Sequence, residues 1–299
     1  MRDESLHCHI CNSTRIRERP FGYSFKERWL GGYECLNCSV IFIHPQPTVV
    51  ELKELYSKEY FEGDFRCGHE GRYFDDQTLA AVVDHALLDR IGQFKSAGLF
   101  LEIGCAGGAF LDAARRRGYD TRGVEFAAVA ARFARDRFGL DVVTGDVRDA
   151  HFNDASFDVV FMGDVIEHLS EPVATLTEIH RIMAAGGLLV IVCPSQTNTI
   201  FSRLGFALFS ILGIKARVTL PPYHVLEYRP LSIKFLLRQC GFDVLRATEA
   251  MISPRRVTLR GPLVRRLGKK FIQYPNYFIT MLFGVLGDRL EVFAAKRWR

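Results

Sequence analysis

The sequence predicts an α/β protein with a parallel, Rossmann-like sheet, and three observations favour this class. From residue 98 onward, short apolar segments alternate with amphipathic ones, which is typical of a parallel sheet covered by helices on both faces. A glycine-rich turn follows the first apolar segment, and two Cys-x-x-Cys pairs lie near the N-terminus. Apolar residues make up 48% of the 299 residues, which is enough for a sizeable core.

Four cysteines near the N-terminus are spaced as metal ligands: Cys8 with Cys11, and Cys35 with Cys38. Each pair presents two thiolates from a tight turn, so together they predict a tetrahedral zinc site in a small zinc ribbon. Four thiolates leave no open coordination position, which indicates a structural metal. The alternatives are four buried free thiols or a redox pair, and a redox role is disfavoured because neither pair lies on a βαβ pattern.

The segment that follows is predicted to be helical. Thr48 is expected to cap a helix through Val49, Leu52 and Leu55, and the apolar spacing over residues 78–94 predicts a second helix. We therefore expect a zinc-binding module at 1–47, a helical linker at 48–97 and an α/β domain at 98–299.

Within the α/β domain, apolar runs and turn residues define the elements. Helical insertions at about 196–228 and 251–288 break the alternation. The predicted strands are 99–103, 121–126, 142–144, 157–162, 188–192, 242–247 and 290–295, and the predicted helices are 109–117, 127–138, 175–183 and 231–240.

The turn after the first strand carries Glu102, Gly104, Ala106 and Gly108. Small residues let the backbone approach a ligand closely, and the next helix begins with free N–H groups. The competing interpretation is a dinucleotide-binding turn, whose spacing is G-x-G-x-x-G.

Further acids follow successive strands: Glu125, Asp146 and Asp164. A carboxylate at a strand end can accept hydrogen bonds from both ribose hydroxyls, and ligands of open α/β sheets bind at these ends. A single such acid is usually a solvated loop residue. Their recurrence at successive strand ends favours a ligand site.

Residues 98–250 resemble the class I S-adenosylmethionine-dependent methyltransferases, whose first motif is (D/E)-x-G-x-G-x-G, with Ala106 in place of the middle glycine. The resemblance implies a seven-stranded sheet with an antiparallel last strand and S-adenosylmethionine as cofactor. It also implies that Asp146 reads the adenine amino group. The cofactor contacts it implies are Glu102, Gly104, Ala106, Gly108, Glu125, Asp146 and Asp164.

The N-terminal cysteine pairs, the apolar run at 40–43, Pro45-Gln46-Pro47 and the Tyr60-Phe61 pair resemble a zinc module found in a group of bacterial methyltransferases. Several of these act on sugar nucleotides or polysaccharide precursors. The resemblance therefore implies a small-molecule or glycan-precursor acceptor, methylated on oxygen or carbon. One ribosomal-RNA methyltransferase family also carries a zinc module, so RNA methylation is the alternative.

Methyl transfer is an in-line displacement for which a protein supplies alignment and often a base. Asp164, Glu167 and His168 resemble an acid-x-x-Glu-His segment linked to a divalent ion in ubiquinone-pathway O-methyltransferases. His224 lies in a segment resembling P-x-H-x-x-x-(F/Y), which overhangs the acceptor site in the enzyme group. We predict His224 as base or substrate contact, and His168 and Glu167 as the further catalytic candidates. The alternative for each is a structural role in its loop.

The insertions are apolar and basic. Seven basic residues and no acids lie between Arg255 and Lys270, an apolar run follows at 271–287, and another covers 199–214. Neither run predicts a membrane-spanning helix. Three interpretations stay open: a cap over the acceptor pocket, peripheral contact with an anionic membrane surface or a lipid-linked acceptor, and RNA binding. RNA is disfavoured because few aromatic residues interleave with the charges.

The remaining features concern net charge, cellular location and the non-enzymatic alternative. The net charge of +5 does not by itself indicate a nucleic-acid partner. The first residues carry no apolar leader, so we expect a cytoplasmic protein, with contact at the inner membrane face as the variant. A fold kept only for binding is the non-enzymatic alternative, and the glycine turn argues that cofactor binding persists.

Overall fold

The computed structural model describes residues 6–55, 74–251 and 263–297, with only the backbone described for 263–272. The Tyr60-Phe61 pair and the basic residues Arg255, Arg256 and Arg260 lie outside these ranges. The described strands are β1 (Ile16–Phe25), β2 (Arg28–Cys35), β3 (Ile41–His44), β4 (Leu99–Ile103), β5 (Asp120–Glu125), β6 (Val142–Thr144), β7 (Phe157–Gly163), β8 (Met183–Pro194), β9 (Ala216–Val218), β10 (Leu226–Glu227), β11 (Phe242–Ala250) and β12 (Arg289–Lys296).

The described α-helices cover and connect these strands. They are α1 (Val49–Leu55), α2 (Asp76–Ala81), α3 (His85–Phe94), α4 (Ala109–Arg116), α5 (Ala128–Phe138), α6 (Pro172–Ile182), α7 (Ile200–Ile211), α8 (Pro230–Gln239) and α9 (Leu263–Phe283). No helix within the described ranges is long and apolar enough to cross a membrane.

The larger sheet has seven strands in the order β11-β12-β8-β7-β4-β5-β6. Strands β4 to β8 pair in parallel, whereas β12 runs antiparallel to both β8 and β11. The predicted α/β fold with a seven-stranded sheet and an antiparallel last strand is therefore confirmed. The parallel strands place their carboxyl ends along one edge, which is where ligands of such sheets bind.

Both faces of this sheet are buried, as its apolar strands require. On one face, Leu88 and Ile91 of α3 and Leu111 of α4 pack against Phe100. On the other face, Ile179 of α6 and Leu236 of α8 share a core with the N-terminal region. The N-terminal region is thus packed on the larger sheet rather than standing apart from it.

A second sheet, in the order β10-β3-β2-β1-β9, joins the N-terminal region to the first insertion. Strand β9 pairs in parallel with β1, where Phe21 faces Ala216, and β10 pairs antiparallel with β3, where Leu226 faces Phe42. The insertion therefore supplies both edge strands of this sheet in addition to helix α7. The division of the chain at residues 47 and 97 stays a prediction.

The segment between the two sheets shows how caps define helices. Thr48 and Glu51 form a reciprocal capping box at the start of α1, with N–H to oxygen distances of 3.2 and 2.8 Å. The single helix predicted for 78–94 is wrong, because Asp84 accepts a hydrogen bond from the Leu87 N–H at 2.9 Å and starts a new helix. The result is two helices, α2 and α3.

Candidate functional site

The turn between β4 and α4 places three residues in the left-handed region: Gly104 (φ 74°), Ala106 (φ 49°) and Gly108 (φ 81°). A Cβ on Gly104 would clash with Val165, which follows β7, and one on Gly108 would lie 2.7 Å from Leu140. Glycine is thus required at both positions. Ala106 holds its left-handed conformation despite a cost of about 1 kcal/mol.

Glu125, at the end of β5, holds this turn in place. Its Oε2 accepts a hydrogen bond from the Ala106 N–H at 2.8 Å, and its Oε1 accepts one from the Ala127 N–H at 2.8 Å. The side chain is buried, and burial raises the pKa of its carboxyl group. Each carboxylate oxygen has a second lone pair, so Glu125 can still accept hydrogen bonds from a ligand.

Glu102 lies beneath the turn, inside β4. Its side chain is buried, and its Oε2 has no hydrogen-bond partner among the described residues. Burial, and then the charge of Glu125, raise the pKa of Glu102 well above its ordinary value. A buried acceptor without a partner is costly, and a bound ligand or water can satisfy it.

The other two strand-end acids are paired with arginines. Asp146 accepts hydrogen bonds from the backbone N–H of Arg148 at 2.9 Å and from its guanidinium group at 3.0 Å. Burial raises the pKa of Asp146, but the hydrogen bonds from Arg148 outweigh it and lower the pKa overall. Asp164 (φ 55°) accepts a hydrogen bond from Arg289 at 2.7 Å. Neither arginine was predicted. Arg148 lies only two positions beyond Asp146, whereas no local signal marks Arg289.

Glu167, His168 and His224 meet at the same edge of the sheet, with donor atoms within 4.8 Å of one another. The His168 Nδ1 lies 2.6 Å from the Tyr223 carbonyl oxygen, so this nitrogen donates the hydrogen bond. The Val225 N–H donates to the Glu167 carbonyl oxygen at 3.0 Å. These bonds fix the loop of the first insertion against the loop after β7, and the catalytic role of the three residues stays a prediction.

Burial dominates the electrostatics of this group. Glu167 is 1% exposed, and neither of its carboxylate oxygens has a hydrogen-bond partner in the described part of the chain. Burial and Asp164 raise the pKa of Glu167 well above its ordinary value, whereas burial lowers the pKa of His168. Burial, His168 and Arg289 lower the pKa of His224 to about 3. Both imidazoles are therefore neutral at pH 7 and can accept a proton or bind a cation.

The four N-terminal cysteines form a separate group, with all four sulfurs within 4.8 Å of one another. The sulfurs of Cys8 and Cys38 are 3.5 Å apart, as are those of Cys11 and Cys35. The hydrogen bond between the sulfurs of Cys8 and Cys38 lowers the pKa of Cys8 to about 5.

The two cysteine turns have the same backbone geometry. Asn12 (φ 55°) and Ser39 (φ 64°) are left-handed, and each N–H donates to the carbonyl oxygen of the first cysteine of its turn. The N–H groups of Ile10 and Asn37 lie 3.4 Å from the sulfurs of Cys8 and Cys35. Such N–H donors stabilise thiolates, so the donor set fits a four-thiolate zinc ion.

Comparisons with known proteins agree with this geometry. Residues 101–191 match the family described as "Methyltransferase domain". A Mycolicibacterium smegmatis protein named "Probable S-adenosylmethionine-dependent methyltransferase" is 31% identical over 149 residues, which are 48% of this chain and 51% of that protein. A ubiquinone biosynthesis O-methyltransferase of Paracidovorax citrulli is 26% identical over 175 residues, 54% of this chain and 71% of that protein.

A solved structure shares the fold: that of the [4+2]-cyclase SpnF has a TM-score of 0.56 at 16% identity, covering 85% of this chain and 99% of that chain. This likeness concerns the fold alone. The chain spans about half the length of the Mycolicibacterium relative. The family match begins at residue 101, so the cysteine group rests on its own geometry. Residues 101–191 thus match a methyltransferase domain, and they lie in a sheet of seven strands.

Proposed function

We propose that this chain is an enzyme that transfers the methyl group of S-adenosylmethionine to an oxygen or carbon atom of a small-molecule or glycan-precursor acceptor. One observation carries the proposal. The left-handed turn at Gly104 lies against Val165, two residues before Glu167. A cofactor cradle and a group of proton-accepting side chains therefore share one edge of the sheet.

The residues at this edge fit the cofactor. The turn from Gly104 to Gly108 offers close backbone approach, and Glu125 has lone pairs for ribose hydroxyls. We assign Asp146 to the adenine and Asp164 to the outer rim of the site, while the unpartnered oxygen of Glu102 supports the cradle from below. When bound, S-adenosylmethionine supplies an electrophilic methyl group on its sulfonium sulfur.

In the proposed mechanism, His224 is the general base. Its ring is unprotonated at pH 7, and with a pKa of about 3 it is a weak base, so it takes the proton of an acceptor hydroxyl as the methyl–oxygen bond forms and makes that hydroxyl strongly acidic. His168 is held by its bond to the Tyr223 carbonyl oxygen, and its Nε2 lies 3.6 Å from Glu167. We propose that His168 positions His224 and that the carboxylate of Glu167 stabilises the positive charge that His224 gains.

We also propose that Cys8, Cys11, Cys35 and Cys38 hold one structural zinc ion. This ion would take no part in the chemistry, because four thiolates leave no open coordination position. Its role would be to fix the start of the N-terminal sheet, since β2 ends at Cys35 and β3 begins at Ile41.

Calorimetric titration of S-adenosylmethionine tests the cofactor site. Glu125→Gln removes one acceptor oxygen at the end of β5 and should weaken binding by about 10- to 100-fold. The matched control is Asp120→Asn, an exposed acid at the opposite end of the same strand, which should leave the affinity unchanged. No binding by the wild-type chain, or equal affinities for the two variants, would contradict the assignment.

A second experiment tests methyl transfer and the class of acceptor. S-adenosylmethionine with a labelled methyl group is incubated with the protein and a prenylated catechol, a nucleoside diphosphate sugar or a short RNA, with and without Mg²⁺. Label on the catechol or the sugar supports the proposal, and label on the RNA alone selects RNA methylation instead. A requirement for Mg²⁺ would show that Glu167, His168 and His224 bind a cation rather than act as bases.

A further inference from the structure

We propose that the two insertions form one docking surface for an anionic lipid bilayer. The surface, called here the insertion surface, comprises the exposed side chains of α7, of the loop at 212–220, and of residues 278–285, which form the end of α9 and the turn after it. The proposal concerns binding to lipid and does not require methyl transfer.

Exposed apolar side chains are the first observation. No residue of α7 is buried, whereas α6, of similar length, buries five. Ile211 is 82% exposed and Leu204 is 62% exposed, and on α9 Leu282 is 75% and Phe283 71% exposed. A group of large apolar side chains left in water on neighbouring helices marks an interaction site.

The two helices form one surface because a buried side chain connects them. Asn276 of α9 is 1% exposed, and its Oδ1 accepts a hydrogen bond from the Ile200 N–H at 3.0 Å. Its Nδ2 donates to the Leu286 carbonyl oxygen at 2.8 Å. This buried amide fixes the start of α7 against α9, so their exposed faces are presented together.

The charge distribution identifies the partner. The insertions at 196–228 and 251–288 contain ten basic residues and two acids, Glu227 and Asp288, so they carry a net charge of +8. The whole chain has 39 basic and 34 acidic residues, which leaves 29 and 32 outside the insertions. The net positive charge of the protein is therefore confined to the insertions, although Lys215 forms an ion pair with Glu18 at 2.6 Å. Basic residues beside exposed apolar ones bind anionic lipid headgroups.

Other partners fit this combination less well. RNA phosphates would use the basic residues but would leave Ile211, Leu282 and Phe283 in water. A second copy of the chain, related by a twofold axis, would bring together two insertions that both carry net positive charge. A bilayer surface would contact both the exposed apolar side chains and the basic residues, and such peripheral binding needs no membrane-spanning helix.

The insertion surface is connected to the proposed active site. His224 belongs to the first insertion, and Arg289, which follows the second, holds Asp164. Docking would thus bring the carboxyl edge of the sheet close to the lipid. A consequence that rests on the proposed function is that a membrane-embedded or lipid-linked acceptor could enter directly.

Flotation with lipid vesicles tests the proposal on the full-length protein. We expect binding to phosphatidylcholine vesicles that contain about 30% phosphatidylglycerol, weak binding to pure phosphatidylcholine, and release as the salt rises to about 0.5 M. The double variant Ile211→Glu with Leu282→Glu should lower the partition coefficient by at least about 10-fold, since it replaces two inserted apolar side chains with charges.

The matched control is Leu231→Glu, a 72% exposed apolar residue on α8, outside both insertions, which should bind like the wild type. Circular dichroism and S-adenosylmethionine titration confirm that each variant is folded.

Three results would overturn the proposal: no binding of the wild type to anionic vesicles, equal binding by the double variant, or a wild-type protein that is dimeric where the double variant is monomeric. Binding of a short RNA without vesicle binding would assign the surface to nucleic acid. A failed methyl-transfer assay leaves the flotation result intact, so the two proposals fail separately.

Discussion

Among the described residues, two groups of side chains bring potential metal ligands together, and the two groups differ in the hydrogen bonds that their ligand atoms receive. The cysteine group has backbone N–H donors against Cys8 and Cys35 and two turns of the same geometry. The group of Glu167, His168 and His224 includes a buried carboxylate without a hydrogen-bond partner among the described residues. Both groups keep their donor atoms within 4.8 Å.

This difference separates a structural group from a reactive one. Backbone donors around sulfur stabilise one fixed charge state and resist change. A buried carboxylate without donors, beside two neutral imidazoles, has a charge state that a ligand or a proton can alter. Similar spacing of donor atoms therefore does not imply similar function, and the surrounding hydrogen bonds distinguish the two groups.

The largest expected effect concerns the cysteine group. Cys35→Ser removes a proposed zinc ligand and should abolish stoichiometric zinc, measured by native mass spectrometry. Because metal-binding energy contributes to folding, the free energy of unfolding should fall by about 3 kcal/mol or more. Cys240→Ser, a change at a half-buried thiol outside the group, should keep the zinc and most of the stability. If the wild-type protein contained no zinc after purification from metal-containing medium, the cysteine group would not be a zinc site, and its contrast with the group of Glu167, His168 and His224 would fail.

His224→Ala tests the reactive group. Loss of a general base should lower the single-turnover rate of methyl transfer by about 100-fold or more, measured with the acceptor that takes the label. The affinity for S-adenosylmethionine should stay within about twofold, because the proposed cofactor contacts lie elsewhere. A rate close to that of the wild type would assign His224 a structural role instead. The zinc content should remain unchanged, which separates the two groups.

The sequence predicted the sheet well because its signals are local. The strand at 99–103 is found as predicted, since an apolar run ends there at the glycine turn. The break between α2 and α3 escaped the apolar pattern, because Leu79 and Leu87 suit one helix as well as two. The Asp84 cap was the signal that could have revealed it.

The site could be predicted in part for the same reason. Glu125 lies at the end of its strand, and its place beside the turn follows from the order of the strands. The contact between Asp164 and Arg289 depends on β12 lying next to β8, which no local pattern encodes. The edge strands β9 and β10 span three and two residues, too few for a periodic signal. The meeting of His168 with His224 follows from this long-range arrangement.

A smaller effect is expected from Glu167→Gln. The pKa of Glu167 is raised in the folded state, so its contribution to stability is complete below its unfolded pKa and is lost as the pH rises through the folded value. A neutral amide avoids the buried charge, so this variant should be more stable than the wild type at pH 8, by about 1 kcal/mol, and nearly equal at pH 4. Urea unfolding at both pH values measures the difference. Methyl transfer should be slower in the variant, since activity and stability oppose each other at such sites.

The smallest expected change is in the protonation of the histidines themselves. Burial lowers the pKa of His168 and brings that of His224 to about 3, so the imidazole of His224 should remain neutral between pH 8 and pH 5, and that of His168 should gain its proton only below the ordinary range. An unperturbed histidine, with a pKa of about 6.5, titrates within this range. Labelled histidine ring carbons should therefore give one signal that barely moves and disappears in His224→Gln, and one that moves only below about pH 6.5 and disappears in His168→Asn. A full titration of either signal near pH 6.5 would mean that water or a flexible loop reaches the imidazole. The group would then lack the burial that distinguishes it from an ordinary surface cluster, and its carboxylate would lose the environment that raises its pKa.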